Sequence, residues 1–163
     1  MLLHGFPAHA NILQKQTRKG IVMKKTLKIW AAPILCGLFV FACMRFIFFI
    51  GYVPSASMEP TIKEGSFIFG KRLHGILEHG EVIIFKQQGA QHVKRIVGIA
   101  GDTICINDAT KEFSVNSELR NTSRILTVPA GCYFVVGDNI DNSFDSRYWE
   151  DPFVKKSNVL AVF

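Results

Sequence analysis

The pattern of hydrophobic and polar positions divides the chain into two parts of different character. From Trp30 to Val53 nearly every residue is apolar, and Arg45 is the only charged residue among these 24. A helix of that length, at about 1.5 Å per residue, crosses the roughly 30 Å hydrocarbon layer of a bilayer with some tilt. The pattern therefore predicts a transmembrane anchor over residues 29–53, between a basic tail over 1–28 and a separate domain over 54–163.

Beyond residue 60 the chain shows no helical period. Short runs rich in apolar and β-branched residues alternate with glycines, which is typical of antiparallel sheets with tight turns. The runs are SFIFG (66–70), EVIIFK (81–86), HVKRIVGI (92–99), DTICIN (102–107), RILTV (124–128), CYFVVG (132–137) and NVLAVF (158–163). They predict a mainly β fold, a compact antiparallel β-sandwich or coiled barrel, whose core lies beyond residue 50.

The charge is distributed unevenly along the chain. The formal net charge is +6, but residues 1–50 hold seven Lys and Arg and no acidic residue, whereas residues 51–163 hold 12 basic and 13 acidic residues. The basicity thus belongs to the tail, and nucleic acid is not expected as a partner. Because the cations cluster on the Trp30 side of the apolar run, the positive-inside rule predicts a cytoplasmic N-terminus. The domain over 54–163 is then expected outside the cytoplasm, held at the plasma or inner membrane by a single pass.

A cleaved signal peptide that begins at Met23 is the alternative interpretation of the apolar run. The run is longer than the usual 7–15 residues of such a segment, and no Ala-x-Ala follows it. Ser55-Ala56-Ser57 is the nearest small-residue match. An uncleaved anchor is therefore favoured, and Met23-Lys24-Lys25 makes a natural opening, so residues 1–22 are a candidate mis-set start.

The four cysteines fall into two pairs. Cys36 and Cys43 lie in the apolar run and are expected to be packing residues. Cys105 and Cys132 lie in the exported part, where a disulfide is permitted, but the sequence leaves open whether they meet. No His or Cys spacing is typical of a metal site, so no metal and no cofactor are expected.

Three stretches carry candidate chemistry: PSASMEPT at 54–61, QHVKRIVGIAGD at 91–102 and GDNIDNSFDSR at 137–147. By itself the first is a turn. The second is a strand on which Lys94 shares a face with His92, because strand side chains alternate, while Arg95 points to the other face. The third is a surface turn or a loose calcium loop, although it lacks the twelfth-position Glu of an EF-hand.

Together with the anchor, these stretches resemble the type I signal peptidase family, which are membrane-bound serine–lysine peptidases. PSASMEPT is similar to the family's P-S-x-S-M-x-P-T, and GEVIIFK at 80–86 is similar to its R-G-D-x-V-V-F. VKRIVGIAGD at 93–102 is similar to K-R-V-x-G-x-P-G-D, and GDNIDNSFDSR to G-D-N-x-x-x-S-x-D-S-R. The resemblance covers residues 53 to 148, with the four motifs in the family's order.

The resemblance implies a role for each matching residue. Ser57 is the nucleophile and Lys94 is the general base. Ser55 supplies a hydroxyl to the oxyanion hole beside the Ser57 backbone N–H, and Ser143 hydrogen-bonds and orients the lysine amine. Three further residues form the structural support of the site: Asp138, Asp145 and Arg147.

Acid–base chemistry is consistent with these roles. A serine hydroxyl is a poor nucleophile until a neighbouring base takes its proton. Arg95 is excluded as that base because a guanidinium stays charged. A lysine is able to act as the base if its pKa is lowered by burial and by a nearby cation, here expected to be Arg95. His92 is the alternative base, whereas His74 and His79 flank a glycine-rich turn and are expected to be solvated.

The chain departs from the family pattern at several positions. Ser66 follows Gly65 where the family commonly has Asp, and Ala100 replaces a proline. His92 stands where an apolar or aromatic residue often lines the substrate groove. Only residues 102–136 separate the lysine motif from GDNIDNSFDSR, so the large accessory domain of some members does not fit between them.

The function implied by the resemblance is endoproteolytic removal of signal peptides from exported preproteins. The expected partners are preproteins with small residues, typically Ala, at positions −1 and −3, and the lipid bilayer. One alternative is a dedicated member of the family that processes a single cargo such as a conjugative pilin precursor. Another is a LexA-like self-cleaving Ser-Lys protein. A third is an anchored binding module with a decayed site, against which the presence of all four candidate side chains argues.

Overall fold

The computed structural model describes residues 29–163, and the predicted basic tail over 1–28 lies outside them. The chain divides into two compact units, Met1–Met44 and Arg45–Phe163. The described part of the first unit is helical. Helix α1, Ile29–Ile47, is long and apolar enough to cross a membrane, with a length of about 28 Å at 1.5 Å per residue.

The helix ends earlier than the sequence predicted. Residues Phe48–Tyr52 form strand β1, which pairs antiparallel with β2, Phe67–Lys71, from Phe48 opposite Lys71 to Tyr52 opposite Phe67. Phe49, only 6% exposed, and Val53 enter the core of the β domain. The prediction of one helical segment over 29–53 was therefore wrong in its last part, because hydropathy alone does not distinguish a half-buried strand from a membrane helix.

Residues 45–163 contain ten strands and three 3-10 turns. The strands after β2 are β3 (Val82–Gln87), β4 (Ala90–Gly98), β5 (Thr103–Ile106), β6 (Phe113–Val115), β7 (Arg124–Thr127), β8 (Cys132–Val136), β9 (Phe153–Lys155) and β10 (Val159–Val162). The turns are Ala56–Met58, Ile140–Asn142 and Lys156–Asn158. All seven predicted runs are confirmed as strands, whereas β6 and β9, three residues each, are too short to leave a pattern.

The strands form two antiparallel sheets. The larger has the order β1-β2-β10-β3-β4-β8-β9, and the smaller has the order β6-β5-β7. Three strands separate β1 from β4 in this order, yet residues of both line the same groove, so the larger sheet curls. This confirms the predicted mainly β fold with antiparallel pairing.

Strand β3 lies at the centre of the core and is buried on both faces. Ile84 packs with Phe49 and Met58 in one apolar cluster, while Phe85 on the opposite face packs with Trp149 in a second cluster. A third cluster joins the smaller sheet to β8. Strand β4 pairs with β3 along residues 90–95, so its side chains project from a backbone that the core holds rigidly.

Candidate active site

The 3-10 turn that carries Ser57 is fixed to the core of the β domain by the next residue, Met58. Ser57 and Met58 are both buried, and Met58 belongs to the same apolar cluster as Phe49. The Met58 carbonyl accepts a hydrogen bond from the backbone N–H of Ile62 at 2.8 Å. Because the methionine side chain is fixed in a close-packed core, the serine before it is held in one position.

The Lys94 amine lies against the Ser57 hydroxyl. The Lys94 Nζ to Ser57 Oγ distance is 2.6 Å, and the Ser55 hydroxyl donates to Ser57 Oγ at 3.4 Å. Within residues 29–163 these are the two side chains hydrogen-bonded to the Ser57 hydroxyl. The fold therefore brings together three of the residues that the sequence singled out.

Lys94 is buried, with 4% of the residue exposed. Burial lowers the pKa of its amine below the ordinary lysine value, and the nearby Arg147 guanidinium lowers it further, whereas Asp145 and Asp138 act in the opposite direction. Arg95, expected to supply the cationic contribution, points to the other face of β4, so Arg147 takes that part instead. An amine with a lowered pKa is able to accept the Ser57 proton.

Arg95 forms an ion pair that the sequence did not predict. Its guanidinium donates to both carboxylate oxygens of Asp138, at 2.8 and 2.6 Å, and to the Gly80 carbonyl at 2.6 Å. Burial alone would raise the pKa of Asp138, but hydrogen bonds from Arg95 and Thr61 bring it below its usual value. Asp138 is therefore paired with Arg95, and its expected role in supporting the site with Asp145 and Arg147 stays a prediction.

Near the Lys94 amine, a buried network of hydrogen bonds connects Ser143, Asp145 and Arg147. The Arg147 guanidinium donates to Asp145 at 2.8 and 3.0 Å, and all three side chains are almost completely buried. The Ser143 hydroxyl donates to Asp145 at 2.6 Å. In the described part of the chain, no hydrogen bond joins Ser143 to Lys94, so the expected direct contact is not formed in this structure.

Two further residues that hold the site together escaped the sequence interpretation. Asn139 donates from its backbone N–H to the Ser57 carbonyl at 3.1 Å and from its side chain to the Ala56 carbonyl at 3.0 Å. A Cβ added to Gly137 would lie 2.5 Å from the Ser57 carbonyl oxygen. The Gly-Asp-Asn stretch at the start of the third motif was the available signal, but the sequence did not show what it contacts.

The three histidines of the β domain differ in how far they are exposed to solvent. The His92 ring lies 5.6 Å from Phe85 and 5.8 Å from Trp149, and burial followed by the Lys94 charge lowers the pKa of its imidazole. His79 is exposed, as expected, with about half of its side chain accessible, and it is hydrogen-bonded to Asp102 at 2.7 Å. His74 is partly buried, so its predicted solvation needs correction.

A groove of about 100 Å³ leads to Ser57 between β1 and β4. Its walls come from Gly51–Val53 on one side and from Gln91–Lys94 on the other. β4 pairs with β8 only from Arg95 onward, while residues 90–94 pair with β3 alone. The backbone of residues 90–94 therefore presents a free strand edge to the groove.

The described residues give little support to a metal site or to a disulfide. Between residues 29 and 163, no three His, Cys, Asp or Glu side chains are grouped as a metal site. The absence of a metal in the protein stays a prediction. All four cysteine thiols are free, so the disulfide that the exported location permits between Cys105 and Cys132 is not formed.

Comparison with known proteins places this geometry in a family. The family model described as "Signal peptidase, peptidase S26" matches residues 24–118 and 109–163. The chain belongs to this family, which confirms the resemblance seen in the four motifs and gives no support to the self-cleaving alternative.

Individual relatives differ in how much of their length the chain covers. Signal peptidase I of Pseudomonas aeruginosa is 31% identical over an alignment of 160 positions, which covers 64% of this chain and 56% of the relative. Signal peptidase I U of Bacillus subtilis is 32% identical over an alignment of 155 positions, which covers 79% of this chain and 83% of the relative. A solved signal peptidase I from Enterococcus faecalis shares 27% identity with a TM-score of 0.41, over 55% of this chain and 97% of the other. The chain thus spans little more than half the length of its Pseudomonas relative.

Proposed function

We propose that this chain is a membrane-anchored serine endopeptidase that removes N-terminal signal peptides from exported preproteins. The observation that carries the proposal is the 2.6 Å contact between the Ser57 hydroxyl and the buried Lys94 amine. A serine paired with a neutral lysine is a known variant of the Ser-His-Asp arrangement. Membership of the signal peptidase family supports the substrate class.

In the proposed reaction, neutral Lys94 takes the proton of the Ser57 hydroxyl as Oγ attacks the carbonyl carbon of the scissile peptide bond. The resulting oxyanion accepts hydrogen bonds from the Ser57 backbone N–H and the Ser55 hydroxyl. The Lys94 ammonium then gives its proton to the departing amine nitrogen, which leaves the signal peptide esterified to Ser57. Water that loses a proton to Lys94 hydrolyses this ester, and the proton returns to Ser57.

The proposed roles of the other candidate residues follow from their contacts. A buried hydrogen-bonded network, formed by Ser143, Asp145 and Arg147, contributes to the electrostatic field at the Lys94 amine. Asp138 holds the start of the following loop against β4 through Arg95. None of these side chains forms a bond with the substrate in this mechanism, so we assign them positioning roles.

The groove supports binding of an extended peptide. Residues 90–94 of β4 offer free backbone donors and acceptors, and a peptide strand is able to add to such an edge. The groove is narrow, about 100 Å³, and includes the apolar side chains of Val53, Ile68 and Val93. Those dimensions favour small side chains near the scissile bond, which agrees with the proposed preference for small residues at −1 and −3.

The outer face of β1 and β2 supports a membrane location for the domain. Ile50 pairs with Phe69 and Tyr52 pairs with Phe67, and all four side chains are mostly exposed. An apolar patch of this kind marks a surface that meets a partner or a membrane. Strand β1 begins at Phe48, directly after the last residue of α1. We therefore propose that the exposed face of β1 and β2 rests on the outer surface of the bilayer, with the N-terminus in the cytoplasm.

The test is cleavage of a purified preprotein by the full chain in detergent, with the new N-terminus determined by mass spectrometry. We expect one cut after a small residue, and no cut by a Ser57→Ala variant. Reporter domains fused before Met23 and after Phe163 test the orientation, and only the second should be protected from cytoplasmic reagents. A wild-type chain that leaves every preprotein of a varied panel intact would overturn the proposed activity.

A further inference from the structure

The strand edge beside Lys94 dictates where a bound peptide has to leave the sheet. On one side of β4, residues 90–94 have no partner strand in the described part of the chain, whereas β8 pairs with the same side from Arg95 onward. Ser57 and Lys94 lie at this junction. A peptide strand along the free edge therefore cannot continue straight past the scissile bond, because β8 blocks its path, and it has to rise over the segment that follows β8.

That segment, Gly137–Phe144, is fixed directly against the nucleophile turn. Asn139 is hydrogen-bonded to the carbonyls of Ala56 and Ser57, and the Ile140 carbonyl accepts from the buried Arg147 guanidinium at 2.9 Å. Although the backbone is held firmly, two large apolar side chains on it face solvent: Ile140 is 47% exposed and Phe144 is 63% exposed. Exposed apolar side chains on a hydrogen-bonded segment beside a reaction centre are suited to substrate contact.

The exposed pair continues into an open depression of different chemistry. The Phe144 ring lies 5.5 Å from the Tyr148 ring. The amine of Lys111, a residue that lines the depression, also lies 5.5 Å from the Tyr148 ring. The depression, of about 430 Å³, is bounded by Thr110–Phe113 and by Ile140 and Asp141. Four charged residues line this depression (Lys111, Glu112, Asp141 and Arg147), whereas Lys94 is, among the described residues, the one Lys, Arg, Asp or Glu that lines the groove between β1 and β4. The two sides of the reaction centre therefore favour different kinds of peptide.

We propose that Ile140, Phe144 and this depression form the binding site for the mature side of the substrate, the residues that follow the scissile bond. The inference rests on the proposed peptidase function and extends it. The groove between β1 and β4 receives the end of the signal peptide, while the charged depression receives the polar first residues of the mature protein. Lys111, which is ion-paired with Asp108 at 3.4 Å, is a partly exposed cation of the depression. We expect it to favour acidic residues a few positions beyond the cut, despite the carboxylates of Glu112 and Asp141 on the same lining.

Two peptides with the same sequence before the scissile bond test the inference with the full chain in detergent. In one the leaving group is a fluorogenic aminocoumarin, and in the other it is a six-residue mature segment. The readout is the ratio of kcat/KM for the extended peptide to that for the coumarin peptide. We expect the double variant Ile140→Ser, Phe144→Ser to lower this ratio about tenfold, since one apolar contact is worth roughly 10–200-fold in discrimination.

A matched control and a charge test complete the design. Ile125→Ser removes another exposed aliphatic side chain, this one from β7, and should leave the ratio unchanged. With Glu or Lys as the third and fourth mature residues, the wild type should prefer the Glu peptide, and Lys111→Glu should reduce or invert that preference.

Each outcome has a defined meaning. A folded double variant with an unchanged ratio, together with an unchanged Glu preference in Lys111→Glu, would overturn the inference while leaving the peptidase proposal intact. The same result accompanied by weaker binding of the double variant to lipid vesicles would overturn it in favour of a lipid contact. A wild type that cleaves neither these peptides nor any preprotein of the varied panel would overturn the peptidase proposal, and this inference with it.

Discussion

Gly137 lies so close to Ser57 that a methyl group on its Cα would be 2.5 Å from the Ser57 carbonyl oxygen. The same methyl group would be 2.6 Å from the Ser143 Cβ. The loop that carries Ser143 and the turn that carries Ser57 therefore meet across a residue without a side chain. Any side chain here has to separate two parts of the site that the mechanism needs together.

We accordingly expect Gly137→Ala to lower kcat/KM at least tenfold, because a displacement of about 1 Å at a reaction centre costs up to 10²-fold. Overpacking of this kind also destabilises by roughly 1–3 kcal/mol. Steady-state cleavage and thermal unfolding measure the two effects. Gly75→Ala is the control, since no atom lies within 4 Å of the added group. Equal activity of the two variants would contradict the predicted clash.

The two serines of the nucleophile turn should behave differently. Ser57→Ala should abolish cleavage, since no other hydroxyl is hydrogen-bonded to the Lys94 amine among residues 29–163. Ser55→Ala should retain a slower enzyme, because loss of one oxyanion donor typically lowers kcat about 10²–10³-fold. Ser117→Ala, at an exposed position, serves as the control. Full activity in Ser57→Ala with inactive Ser55→Ala would reverse the assignment of the two residues.

The pH dependence of cleavage should report the Lys94 amine. Since burial lowers its pKa, activity should rise with pH as the amine loses its proton, with a midpoint below the ordinary lysine value. Lys94→Arg retains the charge but cannot accept a proton, so it should be as inactive as Lys94→Ala. Rates measured from acidic to alkaline pH test this. A Lys94→Arg enzyme with near wild-type rates would point to His92 as the base.

Lys94 should also make the wild-type stability depend on pH. Its pKa is lowered in the folded state, so the unfolded chain binds more protons between the folded and unfolded pKa values, and stability rises with pH across that window. Lys94→Met removes the buried amine, so it should unfold at a higher temperature than wild type at neutral pH. Lys86→Met, at an exposed position near the C-terminal end of β3, is the matched control. A lower unfolding temperature for Lys94→Met than for Lys86→Met would contradict the prediction.

The position of β1 predicts where the domain tolerates truncation. A chain that begins at Arg45 keeps β1 and its ladder to β2, whereas one that begins at Gly51 loses the buried Phe49 and uncovers the β2 edge. We expect the longer form to show a cooperative unfolding transition in detergent and the shorter form to unfold at lower temperature and aggregate. Replacement of Phe49 with Ala typically costs about 3–5 kcal/mol and should reproduce the defect in the longer form. Equal stability of both truncated forms would contradict this account.

The sequence by itself was sufficient for the features that depend on local pattern. The alternation of apolar and polar residues located seven strands, and the length of the apolar run indicated a helix near the N-terminus. Four short motifs in the order of one family pointed to Ser55, Ser57, Lys94 and Ser143 as candidates. Such features are encoded locally, because burial alternates with the period of the strand or helix that each segment forms.

Only the tertiary structure decided which of these side chains meet. Ser57 and Lys94 are 37 positions apart and Ala56 and Asn139 are 83 positions apart, yet both pairs are hydrogen-bonded. The pairing of Arg95 with Asp138, and that of Ser143 with Asp145 rather than Lys94, likewise depends on how β4, β8 and the following loop pack. The end of α1 at Ile47 was decided in the same way, because Phe49 gains a buried site in the sheet that no local pattern reveals. Contacts between distant segments follow from burial of shared apolar surface across the whole chain, and a sequence read one segment at a time does not contain that information.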